Sequence, residues 1–373
     1  MPAPPRSLSS VGETGRAGPL RDIRVVELAS LAPGPFAAAL LADMGADVVR
    51  VDRPGPRSPF GSSLLDRGKR SVTADLKTGE GVELVLRLVG AADVLIEGFR
   101  PGVAEKLGVG PDDCLARRPS LVYGRMTGYG QDGPLSERAG HDINYIAISG
   151  ALSRIGRAGA PPTPPLNLVG DFGGGSMVLL FGILCALHES RSTGRGQVVD
   201  TSMVEGAALL MLPFFANRDQ AGPRGTTLLD SGAPFYDCYE TADGRFVAVG
   251  AIEPQFYAQL VAGLGLDPAC LPPQMDTSSW PEVKDRFAAV FRTRTRNEWE
   301  EVFAGTDACV TPVLELSEVD RHPHNRTRGT FADVGGVVQP GAVPRLSATP
   351  GRVAASPPEP GPDIDEVIAE WLG

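Results

Sequence analysis

The stretch RVVELASLAPGPFAAALLADMGADVVRV, residues 24–51, decides the fold. RVVEL is a short β-branched run and predicts a strand over 24–28. The Ala- and Leu-rich segment behind it carries prolines at its front and predicts a helix over 35–44, stopped at Gly45. DVVRV predicts the next strand, over 47–51. Strand, helix and strand within about thirty residues make a βαβ unit, which implies a parallel sheet. The pattern runs on outward, with a helix over 79–89 and strands over 92–97 and 121–126. The N-terminal third is therefore α/β.

Residues 164–170 read as a loop. It leads into a helix over 172–190 that starts with three glycines and is then apolar on all sides, as a buried helix is. A turn and a strand follow within 192–203, then a helix over 204–215. Residues 217–232 are polar and glycine-rich and mark a candidate boundary. Beyond it, 235–240 and 245–249 flank TADG, a hairpin signal. Amphipathic helices are predicted over 254–264, 280–292, 296–303 and, at the end, 363–372.

The 373 residues carry 35 Lys and Arg against 45 Asp and Glu, a net charge of −10. A nucleic-acid binder shows the opposite balance or a strong basic patch, and no basic run is present. The longest apolar runs, such as 177–187, fall short of the ~18–20 residues that a bilayer span needs, so no membrane partner is expected. The first twenty residues have no apolar core segment. They read as a disordered extension, not as a secretory signal. Cys114, Cys185, Cys238, Cys270 and Cys309 are odd in number and widely spaced, with no CxxC. That suits reduced thiols in a cytoplasmic protein, not a disulfide frame or a zinc site.

The first βαβ unit invites a test as a dinucleotide site, since Asp52 closes the second strand where a ribose-binding acid would sit. The connecting loop is APGP, however, not GxGxxG, and Pro33 and Pro35 have no N–H to offer a pyrophosphate. Arg53, Lys69, Arg70, Lys77, Arg100 and Lys106 follow strand ends or lie in loops. Arg53 and Arg100 stand where they can clamp a polyanion such as the phosphates of a nucleotide-bearing cofactor. The alternative is scattered surface charge. His141 in AGHDINY and Asp171 in VGDFGGGS are acid/base candidates, each directly before a predicted helix. Asp171 reads equally as an N-cap, and a lone His as structural. A helix start also suits a developing oxyanion. His322 and His324 give only a weak metal hint, and GxSxG is absent.

With those residues in view, the chain resembles the family III CoA transferases (the CaiB/BaiF family), and within them the α-methylacyl-CoA racemase branch. The resemblance runs from about residue 20 to the C-terminus. Its carriers are the opening stretch, RSVTADLK, ADVLIEGFRPGV, YGRMTGYGQDGP, AGHDINY, PPLNLVGDFGGGS, TGRGQVVDTSMVEG, GAIEPQFY and DACVTPV, in that order. The transferases also carry an aspartate at the position of Asp171, where it is a nucleophile, but generally lack the histidine of the GHD motif. The racemases have both.

The resemblance implies a racemase, an isomerase that interconverts 2-methylacyl-CoA thioesters by 1,1-proton transfer through an enolate. The alternatives are a CoA transferase with Asp171 as nucleophile, and an acyl-CoA-binding protein without activity. It implies His141 and Asp171 as the acid/base pair, with Glu253 orienting His141 and Asn167 contacting Asp171. Backbone amides near Asp142 would stabilise the enolate. CoA would lie on Arg53, Ala74, Asp75, Leu76, Lys77, Gly98, Phe99, Arg100, Lys106, Gly140 and Tyr145. No metal is implied, and no cofactor beyond the CoA of the substrate. Lys106 stands where relatives often have Arg, which keeps the charge and loses the bidentate fork. The implied fold is an α/β, Rossmann-like large domain with a parallel sheet plus a smaller α+β domain, in an interlocked homodimer. The expected divisions are a disordered extension over 1–19, the large CoA-binding domain over 20–220, the small domain over 221–330, and a segment over 331–373 that returns to the large domain.

Overall fold

The computed structural model describes residues 17–55, 63–216, 218, 222–356 and 360–373. Contacts divide the chain into two units. The first holds Met1–Ser149, Leu166–Leu210 and Pro323–Gly373; the second holds Gly150–Pro165 and Met211–His322. Most of the extension expected over 1–19 lies outside the described residues, as do positions 217 and 219–221 of the polar stretch. The change of unit falls ahead of that stretch, at Leu210, and Gly150–Pro165 goes with the second unit.

Six parallel strands form the sheet of the first unit: β1 (Arg24–Leu28), β2 (Asp47–Asp52), β3 (Arg70–Thr73), β4 (Val94–Glu97), β5 (Val122–Thr127) and β6 (Gln197–Ser202). Their order is β3-β2-β1-β4-β5-β6. The central strands β1, β2 and β4 carry runs of Val, Ile and Leu because both of their faces are covered. Alternate residues feed two separate cores. Val25, Val48, Val94 and Ile96 pack with Leu41 of the helix Pro33–Asp43 and with Leu179 and Ile183. Val26, Val49, Leu95 and Tyr123 pack with Val85 and Leu88 of the helix Gly79–Gly90 and with Trp371. The C-terminal helix Ile364–Leu372 is tied down by Trp371, whose Nε1 donates to Asp47 Oδ2 at 2.9 Å. Just before it, Asp363 Oδ2 accepts from the Ser71 amide at 2.7 Å.

β3 was not read as a strand in the sequence. Its first residue and the one before it, Arg70 and Lys69, are expected as anion-binding cations but pair with carboxylates of the chain instead. Lys69 is fully buried, donating to Glu27 Oε2 at 2.5 Å and to the Pro35 carbonyl at 2.9 Å. Burial pulls its ammonium below the usual range, against Glu27 and Asp66. Arg70 pairs with Asp47 at 2.5 Å and Glu370 at 2.8 Å, at the start of β3 and so at the end of the sheet opposite the strand C-termini. Arg50, the β1 Glu27's neighbour on β2, pairs with Asp52 at 2.9 Å and with Asp66.

The apolar helix also differs from its prediction. It starts at Leu168 as a wide π-helical turn over Leu168–Ser176 and continues as an α-helix over Met177–Thr193. Together they form 26 residues long and apolar enough, by length and composition alone, to cross a membrane, which the apolar runs in the sequence did not suggest. Here one face, with Leu179, Ile183 and Ala186, is buried in the core beneath the sheet. The glycines at its start serve contact between backbones. A Cβ on Gly174 would lie 2.5 Å from the Ala207 amide nitrogen, and one on Gly206 would lie 1.8 Å from the Gly174 carbonyl. The helix predicted over 204–215 is two, Met203–Leu210 and Leu212–Phe215.

The second unit is built on a three-stranded antiparallel sheet, Tyr236–Glu240, Phe246–Gly250 and Val310–Pro312. The helices Pro254–Gly263, Trp280–Phe291 and Arg296–Phe303 supply an aromatic core with Trp280, Phe287 and Trp299. Asp237 holds Arg157 at 2.6 Å and Lys284 at 2.9 Å, joining 150–165 to this unit.

Lys69→Met takes the nearest cation from the buried Glu27 carboxylate, leaving it Arg50 at 3.7 Å, and is expected to cost about 3–5 kcal/mol in urea unfolding. Adding Glu27→Leu should recover most of that loss. Equal losses in the single and double variants would contradict the buried pairing.

Candidate active site

The strand order reverses between β1 and β4, and in open α/β sheets ligands bind outside the strand C-termini at that point. Two clefts meet there. The first, of about 440 Å³, is lined by the ends of β1, β2 and β3. The second, of about 550 Å³, is lined by the ends of β1, β4 and β5 and by the helices behind them. Ser30, Leu31 and Phe99 line both and form the waist between them.

Arg53, Ala74, Asp75, Leu76, Lys77 and Phe99 line the first cleft. Gly98, Phe99, Arg100, Gly140 and Tyr145 line the second, together with His141 and Asp171. Lys106, at the end of the short helix Val103–Lys106, lines neither. Glu253 is an exposed residue of the second unit, at the start of the helix Pro254–Gly263. Asp52 is buried at the edge of the first cleft, where Oδ1 accepts from Arg50 and Oδ2 from Ser71.

His141 stands at the N-cap of the helix Asp142–Ile148 in extended conformation, its amide donating to Asn144 Oδ1 at 3.1 Å. Asp171 is not placed as the sequence suggested. It lies within the π-helical turn rather than ahead of a helix, and the N-cap position belongs to Asn167. Asn167 Nδ2 donates to Asp171 Oδ2 at 3.0 Å. π-Turns of this kind are rare and occur often at functional sites. Leu166, just before it, is exposed and held at φ 59°, a costly conformation for a branched side chain.

Asp142 ties the two together. Its side chain is buried, and Oδ2 accepts the amides of Gly170 at 2.6 Å and Asp171 at 2.7 Å. The residue next to His141 in sequence thus grips the backbone of Asp171 directly. Gly170 has to be glycine for this, since a Cβ there would lie 2.6 Å from Asp142 Oδ2. The sequence pointed to the amides near Asp142; the role of its carboxylate was missed.

Burial pushes the Asp171 carboxyl above the usual carboxylate range. The hydrogen bond from Asn167 opposes this, the nearby Asp142 charge adds to it, and His141 opposes it. His141 and Asp171 line the same cleft. Tyr145 supports the wall behind them. Its hydroxyl donates to the Gly140 carbonyl, its ring meets Tyr129 edge-on at 5.0 Å, and burial pushes its phenol up to about 12. Tyr129, Arg138, Met126 and Met203 also line this cleft and were not anticipated. The position of Tyr129 just past β5 was the available signal.

Among the described residues, no three His, Cys, Asp or Glu side chains gather to hold a metal. His322 faces Glu300 at 3.4 Å.

The family model for CoA-transferase family III matches residues 20–364, and the chain belongs to that family. It is 52% identical to the mouse (Mus musculus) alpha-methylacyl-CoA racemase over 358 residues, covering 94% of this chain and 93% of that protein. With the human (Homo sapiens) alpha-methylacyl-CoA racemase it is 50% identical over 357 residues, with the same coverage of both chains. Among solved structures it is similar to a CaiB/BaiF family protein from Brucella suis, with a TM-score of 0.82 and 26% identity, covering 95% of this chain and all of that one.

Two outcomes follow for stability. Asp142→Ala leaves two amides unpaired and is expected to cost about 2–5 kcal/mol in unfolding, with Asp142→Asn losing less. Asp171→Asn is expected to raise the Tm at pH 7. A carboxyl whose folded pKa is raised loses stability as pH rises from its unfolded toward its folded value, so the gain should shrink as pH falls toward 4. A gain that is constant with pH would contradict the assignment.

Proposed function

We propose that this chain racemises 2-methyl-branched acyl-CoA thioesters by 1,1-proton transfer at the α-carbon. The observation that carries the reading is the convergence of His141 and Asp171 on one cleft. The mouse and human relatives, both racemases by name, support it.

The chemistry needs one group to remove the α-proton from one face and another to deliver a proton to the opposite face. An imidazole and a carboxyl serve, exchanging roles with the hand of the substrate. A carboxyl raised above its ordinary range holds a proton more readily between turnovers, as a group that must act both ways has to. Asn167 and Asp142 fix its orientation and its backbone. The enolate oxygen is assigned, on family resemblance, to the amide of Asp142. Both proton carriers belong to the chain, so the reaction as proposed draws on no metal and no further cofactor.

CoA is assigned to the two clefts in succession. Its nucleotide end takes the first, with Arg53 and Lys77 at the phosphates. Its pantetheine arm passes Phe99 and Arg100 to bring the thioester beside His141. Arg53, Lys77 and Arg100 are exposed, as ligands for a solvated polyanion need to be.

A homodimer, with Glu253 of a second copy orienting His141, is the assembly this reading favours. What supports it is the outer face of the long helix, where Met177, Phe181 and Leu184 are 52%, 71% and 46% exposed. Contiguous apolar surface of this kind marks an interface.

The test is one enantiomer of a 2-methylacyl-CoA in D₂O, without an acceptor acid, followed by proton NMR. Deuterium at the α-carbon with loss of optical purity is expected. Transfer of CoA to an added carboxylic acid, with no exchange at the α-carbon, would make Asp171 a nucleophile and overturn the reading. His141→Ala and Asp171→Ala should each lower turnover by about 10²–10⁴ while CoA-ester binding persists.

A further inference from the structure

Glu97 ends β4 with its side chain in the interior, only 1% exposed. A buried carboxylate is costly unless it is paired, and this one has two partners. Oε2 accepts the Phe99 amide at 2.6 Å, and Oε1 accepts from Arg125 Nε at 3.2 Å. Arg125 is its cross-strand neighbour on β5. Neither Glu97 nor Arg125 lines a cleft, whereas Phe99 lines both. From the other side the same turn is pressed by the loop after β1. A Cβ on Gly98 would lie 2.8 Å from Ser30 Oγ. The turn over 98–100 is therefore held between a loop and one buried carboxylate.

We infer that Glu97, braced by Arg125, is the positioning residue for this turn: its carboxylate fixes the Phe99 backbone and so sets the waist across which a CoA ester runs from one cleft to the other. The inference rests on the function proposed above in taking a CoA ester as the ligand.

The geometry makes the brace sensitive to pH. Burial is the main reason that the Glu97 carboxyl is pushed up to about 7, against the pull of the Phe99 amide and Arg125. The groups around it come from three elements. Arg125 and Tyr123 face it from β5, Glu105 from the helix Val103–Lys106, and Cys114 from the helix Pro111–Arg117. Glu105 raises the carboxyl further but is itself lowered and paired to Arg125 at 2.9 Å. Burial pushes Tyr123 up, and Cys114 up to about 12. Glu97 is thus the member of this cluster placed to change charge near neutrality. When protonated it gives up the charge that holds both Arg125 and the Phe99 amide, and the turn loosens.

Glu97→Gln keeps the shape and one acceptor and removes the charge. At pH 8 its KM for the CoA ester is expected to exceed that of the unmodified enzyme roughly threefold to tenfold, the range for one net hydrogen bond, with kcat within about twofold. At pH 6 the two KM values should converge, because the native carboxyl is then protonated as well. Taking the ratio of variant to native removes the titration of the ligand's own phosphates. A ratio near one at pH 8, or a ratio unchanged down to pH 6, overturns the inference, as does a fall in kcat at constant KM. A second readout needs no variant: hydrogen exchange at the Phe99 amide of the native protein, corrected for intrinsic rate. It should quicken several-fold from pH 8 to pH 6 as the acceptor is lost, and a flat profile contradicts the brace. Failure of the native protein to bind any CoA ester would count against the proposed function, while the exchange profile still decides the role of Glu97.

Discussion

One buried carboxylate sets the geometry of the candidate active site. Asp142 accepts the amides of Gly170 and Asp171, and it is covalently next to His141. Thirty residues of chain separate the two acid/base side chains, and the hydrogen bonds of Asp142 make that separation irrelevant. The rest of the local structure serves this grip. Gly170 leaves room for the carboxylate, and the wide turn over Leu168–Ser176 carries Asp171 past Asn167. The Gly174 and Gly206 contact lets the turn sit backbone-to-backbone on the neighbouring helix. Charge-assisted bonds to buried amides are short and directional, which is what a site with little tolerance for drift requires.

The sheet supplies the other half of the design. A parallel sheet with a reversal of strand order leaves a crevice beyond β1 and β4. Two clefts joined at Phe99 suit a long ligand with a polyanionic end and a reactive end. The chain is acidic overall at −10, yet Arg53, Lys77, Arg100 and Arg138 stand around these clefts. Local placement of cations, not net charge, gives an anionic ligand its site.

Much of this was legible in the sequence, for identifiable reasons. β1 and the helix Arg296–Phe303 fall where β-branched runs and apolar periodicity place them. Strand ends and motif positions single out Arg53, Lys77, Arg100, His141 and Asp171, and all five line the clefts, whereas Lys106 lines neither. Three features escaped. β3 is only four residues long and starts at a charged residue, so neither alternation nor an apolar run announced it. The π-turn escaped because 164–170 reads as a loop and the glycines behind it as the plain start of a helix, while those glycines answer to a helix distant in the chain. Lys69 reads as an anion-binding or surface cation because the sequence does not show that Glu27 waits for it in the core. Each miss is a case in which a tertiary partner, not local propensity, decides the conformation.

The central claim is that His141 and Asp171 work on opposite faces of one α-carbon. The most direct measurement is where deuterium goes first. One enantiomer of the substrate would be turned over in D₂O to a few per cent conversion, and product and recovered substrate would be separated by configuration and analysed for isotope. Two groups on two faces predict deuterium in the inverted product and almost none in the recovered substrate. Deuterium entering the recovered substrate as fast as the product would mean that a single group serves both faces, and would contradict the account.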